Sequence, residues 1–239
     1  METLVNKKVG QLVAEDYRTA AVFSKYGIDF CCGGGITIEK ACIKNKVDQN
    51  SLEKELLQLN VVDNEVVAYD KWELDVLIDH IINVHHTYVK ENVAIISEYA
   101  NKVARVHGHH YTEVIEVNKL FHEVANELVS HLQKEEQVLF PYIKQLVAAE
   151  KGSLYNSPPF GTVNNPIRMM EHEHEGAGTI FKEISRVTNN YTPPQEACTT
   201  FKVLYAKLEE FEKDLHKHIH LENNILHVKA IALEKIMVD

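Results

Sequence analysis

The chain has no run of about 18 apolar residues, and its Met1 end lacks the basic patch and short apolar stretch of an export signal. These absences predict a cytoplasmic protein without a helical membrane span. Positive charge is also short. Lys and Arg number 25 against 35 Asp and Glu, for a formal net charge of −10, which argues against a nucleic-acid partner and a polybasic membrane binder. Cysteine is scarce: there are four, two of them adjacent as Cys31 and Cys32. That is no disulfide framework, and in a reducing compartment such thiols have packing, redox or metal roles. The period-two alternation of strands appears nowhere, which leaves an all-α chain whose 45% hydrophobic content suffices for a buried core.

What the chain does have is histidine, 14 in 239 residues, several of them interrupting apolar stripes. Residues 1–60 read as a small helical domain of short helices and turns. Asp16 is expected to cap a helix to Tyr26, Thr37 one to Asn45, and Asn50 with Glu53 opens another. Between the first two lies Asp29-Phe30-Cys31-Cys32-Gly33-Gly34-Gly35, whose glycines suit backbone geometries that other residues resist. A linker follows over 61–70, then a four-helix bundle over 71–239. Its first helix, signalled by Asp70 and Glu73, is predicted over 72–104, and its second over 111–149 with a kink at Pro141. The third opens at Asn165-Pro166 and runs to Val187; the fourth opens at Thr192-Pro193-Pro194-Gln195 and runs to Leu233. Mostly short connections make the bundle up-down-up-down.

Two pairs, His131/Glu135 and His218/Glu222, place an imidazole and a carboxylate four residues apart, on one helical face. The stripe of the first helix, Ile78, Ile82, His86, Val89, Val93 and Ile96, turns His86 inward and leaves His85 about 100° away. The second stripe is Phe121, Ala125, Leu128, His131, Glu135, Val138 and Tyr142. The third, Ile167, Met170, His174, Ala177, Phe181 and Ile184, selects His174 over His172; the fourth is Leu204, Leu208, Phe211, Leu215, His218, Glu222 and Ile225. At 1.5 Å per residue the four histidines lie roughly 21, 27, 14 and 22 Å from one end of the bundle, all near its middle. Four imidazoles and two carboxylates suit two iron ions, with manganese behind; zinc is content with fewer ligands. His216, His220 and His227 share a face with Lys213, Lys217 and Asn223 and are expected in solvent. His107, His109 and His110 fall in a turn, and His80 and His122 are candidates to support a ligand.

With those residues in hand, the whole chain resembles the Repair of Iron Centres family, the YtfE/ScdA type of di-iron protein. The likeness is carried by Asp29-Phe30-Cys31-Cys32-Gly33-Gly34, Ile78-Asp79-His80-Ile81-Ile82, the run from His131 to Pro141, and Glu173-His174-Glu175. It is carried further by the run from Thr192 to Thr200 and by His218-Ile219-His220-Leu221-Glu222-Asn223-Asn224. The resemblance implies a hemerythrin-like bundle behind a small cysteine-bearing domain. It implies a non-haem, oxo- and carboxylate-bridged pair of iron ions on His86, His131, Glu135, His174, His218 and Glu222, with the glutamates bridging. It further implies repair of iron–sulfur clusters damaged by nitric oxide or oxidants, with iron–sulfur proteins as recipients and Cys31 and Cys32 in redox or iron transfer. A hemerythrin-like carrier or sensor of O2 or NO, and a di-iron nitric oxide reductase, are the alternatives; a homodimer is compatible with all three. Two positions depart from the family: His85, where tyrosine is usual, is a rival ligand, and His227-Val228 stands where Phe-Pro is common.

Overall fold

A computed structural model describes residues 6–59 and 67–238. Most of the expected linker lies outside the described residues. Among those described, the architecture is all-α, with one isolated antiparallel bridge between Lys8 and Thr37. No described helix is long and apolar enough to cross a membrane.

The N-terminal unit has four short helices: α1 (Val9–Glu15), α2 (Thr19–Lys25), α3 (Ile38–Asn45) and α4 (Gln49–Leu59). Thr37 caps α3 as expected, accepting from Lys40 N. Two other caps differ. Asp16 takes the Arg18 backbone N–H and guanidinium instead, so α2 begins at Thr19. Asp48, not Asn50, holds the start of α4 by accepting from Ser51 N and Oγ.

The bundle consists of four long rods, three of them interrupted by one wide turn. The first joins α5 (Leu74–His80) to α6 (Thr87–His107) through a π turn at Ile81–His86. The second joins α7 (Glu113–Lys134) to α8 (Phe140–Glu150) through a π turn at Glu135–Leu139, and the third is α9 (Asn164–Val187). The fourth joins α10 (Thr199–Leu221) to α11 (His227–Val238) through a π turn at Glu222–Leu226. In each π turn a backbone N–H reaches back five residues: Thr87 to Ile82, Phe140 to Glu135, and His227 to Glu222. The second wide turn stands just before Pro141, which has no N–H to continue the α ladder. Helices α6 and α9 each pack between α7 and α10, closing an antiparallel ring.

The first rod therefore starts at Leu74, with Asp70 in a preceding 3-10 turn rather than capping it. The fourth starts at Thr199, not at Pro193. Thr192 and Pro193 each precede a proline and are barred from helical geometry, and extended Cys198 separates that turn from the helix. Asn165 does not cap α9; its side chain donates to Phe160 O from inside the first turn.

Two hydrophobic clusters fill the bundle. One gathers Phe121, Phe181, Phe201 and Phe211 and continues into the N-terminal unit through Phe23 and Ile38. The other gathers Leu77, Ile78, Phe140, Ile143, Ile167 and Leu226. Along every rod the six candidate ligands fall between residues of the first cluster and residues of the second, forming a polar layer across the bundle.

The N-terminal unit sits against that layer. Asn224, two residues past Glu222, donates to Cys31 O at 3.0 Å and Phe30 O at 3.3 Å, while Lys182 pairs with Asp29 at 3.2 Å. The approach is close enough to demand glycine: a Cβ on Gly10 would lie 2.2 Å from Asn224 Oδ1, and one on Gly34 2.9 Å from the same atom. Gly33, Gly34 and Gly35 have no positive φ, so for Gly34 the need is proximity rather than an unusual backbone region.

Candidate metal centre

All six residues chosen by helical phase meet in the polar layer, each at most 2% exposed. Their donor atoms form two four-atom groups, His86/Glu135/His218/Glu222 and His131/Glu135/His174/Glu222, each spanning under 4.8 Å. Both glutamates belong to both groups. Within them His218 Nε2 lies 2.9 Å from Glu222, His174 Nε2 3.2 Å from Glu222, His131 Nε2 3.3 Å and His86 Nε2 3.4 Å from Glu135. The Nε2 atoms of His131 and His174 face each other at 3.0 Å.

The wide turns assist this convergence. Glu135 and Glu222 each open a π turn and His86 closes one, so three ligands sit where the backbone departs from 3.6 residues per turn. The same departure corrects one stripe: Val138 is 46% exposed and Leu139 takes the inward place.

Three imidazoles are aimed from behind. His86 Nδ1 lies 2.8 Å from Glu136, His131 Nδ1 2.8 Å from Glu173, and His174 Nδ1 2.8 Å from Asn223. A proton held on Nδ1 leaves the Nε2 lone pair for the interior. Lys90 shares Oε1 of Glu136 with His86, and Lys134 pairs with the other oxygen of Glu173. Sequence phase did not reveal these supports; the signal was a second acid beside a ligand, Glu136 after Glu135 and Glu173 before His174.

The electrostatics are those of carboxylates awaiting cations. Burial opposes charge on His86 and His131, but the neighbouring glutamates win and raise their pKa values to about 10 and about 9. Burial and Glu222 push Glu135 up, and the surrounding histidines overcome both, holding it at about 2. Glu222 is lowered against burial mainly by the charge of His218, whereas burial keeps His218 itself below its ordinary value. Among the described residues, both oxygens of Glu135, Oε2 of Glu222 and Nε2 of His86 nevertheless have no hydrogen-bond partner, and unpartnered buried polar atoms are costly. Converging Nε2 atoms and bare carboxylate oxygens fit divalent metal ions.

The remaining histidines divide. His85 is buried, pairs with Asp214 at 2.9 Å and stacks on His218 without joining either group. His220 and His227 are not on a solvated face: both are 0% exposed, and His216 is half-buried. Phe30 and Tyr17 of the N-terminal unit cover His220, whose pKa burial lowers to about 4. His80 packs edge-on to Trp72 and His85, and His122 reaches Asn101 at the surface.

Cys31 and Cys32 lie outside both groups. Their sulfurs are 4.0 Å apart, and Cys31 Sγ donates to Asp29 at 3.2 Å. The hydrogen bond with Cys32, then burial, hold the Cys31 thiol well above its ordinary pKa, so it is a thiol and not a thiolate. A cavity of about 620 Å³ opens beside it at the seam between the N-terminal unit and the bundle, lined also by Asp29, Lys182, Glu212 and His216.

Comparison with known proteins agrees with this geometry. The hemerythrin HHE cation binding domain matches residues 77–230, and the ScdA_N domain, of unknown function, matches 5–60. Iron-sulfur cluster repair proteins YtfE from Enterobacter sp. (strain 638), Citrobacter koseri and Escherichia coli O81 are each 37% identical over 232 residues, covering 96% of this chain and 98% of theirs. The chain belongs to the YtfE family. Its bundle is thus of the hemerythrin HHE cation-binding type, and the buried His/Glu layer lies within the matched span.

Proposed function

We propose that this chain holds two non-haem iron ions and repairs damaged iron–sulfur clusters in the cytoplasm by supplying iron, with iron–sulfur proteins as recipients. The observation that carries the reading is the sharing of Glu135 and Glu222 between two groups that each have their own pair of histidines. In this assignment His86 and His218 hold one ion, His131 and His174 the other, and both glutamates bridge. Bound iron supplies a redox-active, exchangeable cation. The protein's part is to turn four Nε2 atoms into the layer, to aim three of the imidazoles through Glu136, Glu173 and Asn223, and to keep bulk water out. Six donors shared between two positions, rather than four around one, favour a pair of iron ions over a tetrahedral zinc site.

The proposal includes a division into a cysteine-bearing unit, residues 1–60, and a metal-binding unit, 71–239, supported by the spans of the two matched domains. It also gives Cys31 and Cys32 the hand-over of iron, supported by the Asn224 bonds that tie their loop to the turn bearing Glu222. Taking a cation requires Cys31 to shed its proton.

The test incubates the iron-loaded chain with an iron–sulfur enzyme inactivated by nitric oxide. Recovery of activity together with loss of iron from the chain is expected. No recovery, with N2O formed from the reduced chain and nitric oxide, would replace repair by nitric oxide reduction.

A further inference from the structure

His227 follows the third π turn, and neither of its ring nitrogens has a hydrogen-bond partner among the described residues although the residue is 0% exposed. Wide-turn geometry puts it there: its backbone N–H bonds Glu222 O, one π turn back, so it continues the ligand-bearing face that a regular α-helix would turn away. Its ring lies parallel to that of His174, at 5° and 6.3 Å between centroids. Its Nδ1 faces Oε1 of Glu171 at 3.9 Å, and the Glu171 side chain is 43% exposed, which makes it the outer of the two. That distance is too long for a hydrogen bond. It does suit two donors on one cation, which stand roughly 3–4 Å apart when each is about 2.1 Å from the metal.

Glu171, His227 and His174 thus form a file from the surface to the metal layer. The outer member is an accessible carboxylate, the middle one an imidazole with both nitrogens free, and the inner one a candidate ligand.

We propose that Glu171 and His227 form a relay site that takes a divalent cation from solvent and passes it to the metal layer beside His174, and returns it by the same path on release. The proposal rests on the metal-binding reading of the layer and deepens it by naming the route. As a cation crosses, Glu171 supplies a charged oxygen on arrival and His227 a ring nitrogen before the layer takes over, so the ion exchanges hydration for protein donors in steps.

The experiment measures anaerobic Fe(II) uptake by the metal-free full-length chain in stopped flow, and Fe(II) release from the loaded chain to a coloured chelator. It compares the native chain with His227→Phe and with Glu171→Gln, the second being a change at a half-exposed side chain that leaves the core untouched. Both variants are expected to load and unload severalfold more slowly while reaching the native iron content at equilibrium. Native rates in Glu171→Gln, or in a His227→Phe chain of native helicity, would overturn the relay. Lowered final iron content in His227→Phe would also overturn it, making His227 a ligand instead. A native chain that takes up no iron would sink the metal-binding reading itself, a result distinct from normal content at unchanged rates.

Discussion

Glu234 and Glu135 are both acidic side chains withdrawn from solvent in the same bundle, at 7% and 0% exposure, yet their surroundings differ in kind. Glu234 is answered by the protein: it accepts from Tyr142 Oη at 2.7 Å, from Val163 N at 2.8 Å and from Thr162 Oγ1, and so ties the start of α9 to α11. Glu135 is answered by imidazole nitrogens at 3.3 and 3.4 Å, and neither of its oxygens has a hydrogen bond. Burial of a carboxylate is therefore no mark of a metal site. The mark is a carboxylate whose neighbours are other donors of lone pairs. Such a group stays ionised without metal only by keeping protons on the imidazoles beside it, and metal binding must displace them.

The largest expected effect breaks the comparison through pH. In the metal-free chain His86 and His131 are raised to about 10 and about 9, above the ordinary 6.5. Their contribution to stability is fully present below about 6.5 and is lost as pH rises through 9 and 10. Glu135, lowered from 4.5 to about 2, contributes above 4.5 and loses that as pH falls through 2. Thermal melts of metal-free protein should thus peak between about pH 4.5 and 6.5 and fall by a few kcal/mol towards pH 10, a loss reduced in Glu135→Gln, where only Glu222 still faces the two imidazoles, and kept in full in Glu234→Gln. A native profile flat from pH 6 to 10 would contradict the proton-filled layer.

Next in size is the support behind a ligand. Glu173→Gln keeps the shape but removes the charge on His131 Nδ1, and metal affinity should drop about 10- to 100-fold by competition with a chelator. An unchanged affinity would reduce Glu173 to a surface partner of Lys134. Smallest is Glu234→Gln, expected to cost about 1 kcal/mol of stability, or a Tm shift of about 2–4 °C, with metal content unaltered. Loss of metal in that variant would erase the distinction between the two carboxylates.

Much of this was legible from residue order. Regular stripes in α7, α9 and α10 carry the α-helical phase up to the layer, which is why His131, His174 and His218 could be picked and His172 set aside. Phase failed just past the layer. A π turn uses ordinary residues and differs only in which carbonyl each N–H chooses, so nothing in Glu222-Asn223-Asn224-Ile225-Leu226 announces it, and His227 and Val138 were placed on the wrong faces. His220 was misread for another reason: its cover, Phe30 and Tyr17, comes from about 200 residues away, and a helical wheel has no knowledge of a docked neighbour. The caps at Asn50, Asn165 and Thr192 failed because the expected motif was outbid locally, by Asp48, by Phe160 O and by two successive prolines.

The central claim is that Glu135 and Glu222 are shared between two metal positions while each histidine serves one. Anaerobic Fe(II) titration of the metal-free chain, with bound iron counted per chain, tests it directly. The account predicts about two irons in the native chain, about one in His174→Ala, and fewer than one in Glu135→Ala or Glu222→Ala, because a bridging ligand belongs to both positions. One metal per native chain, or two retained in either glutamate variant, would contradict it.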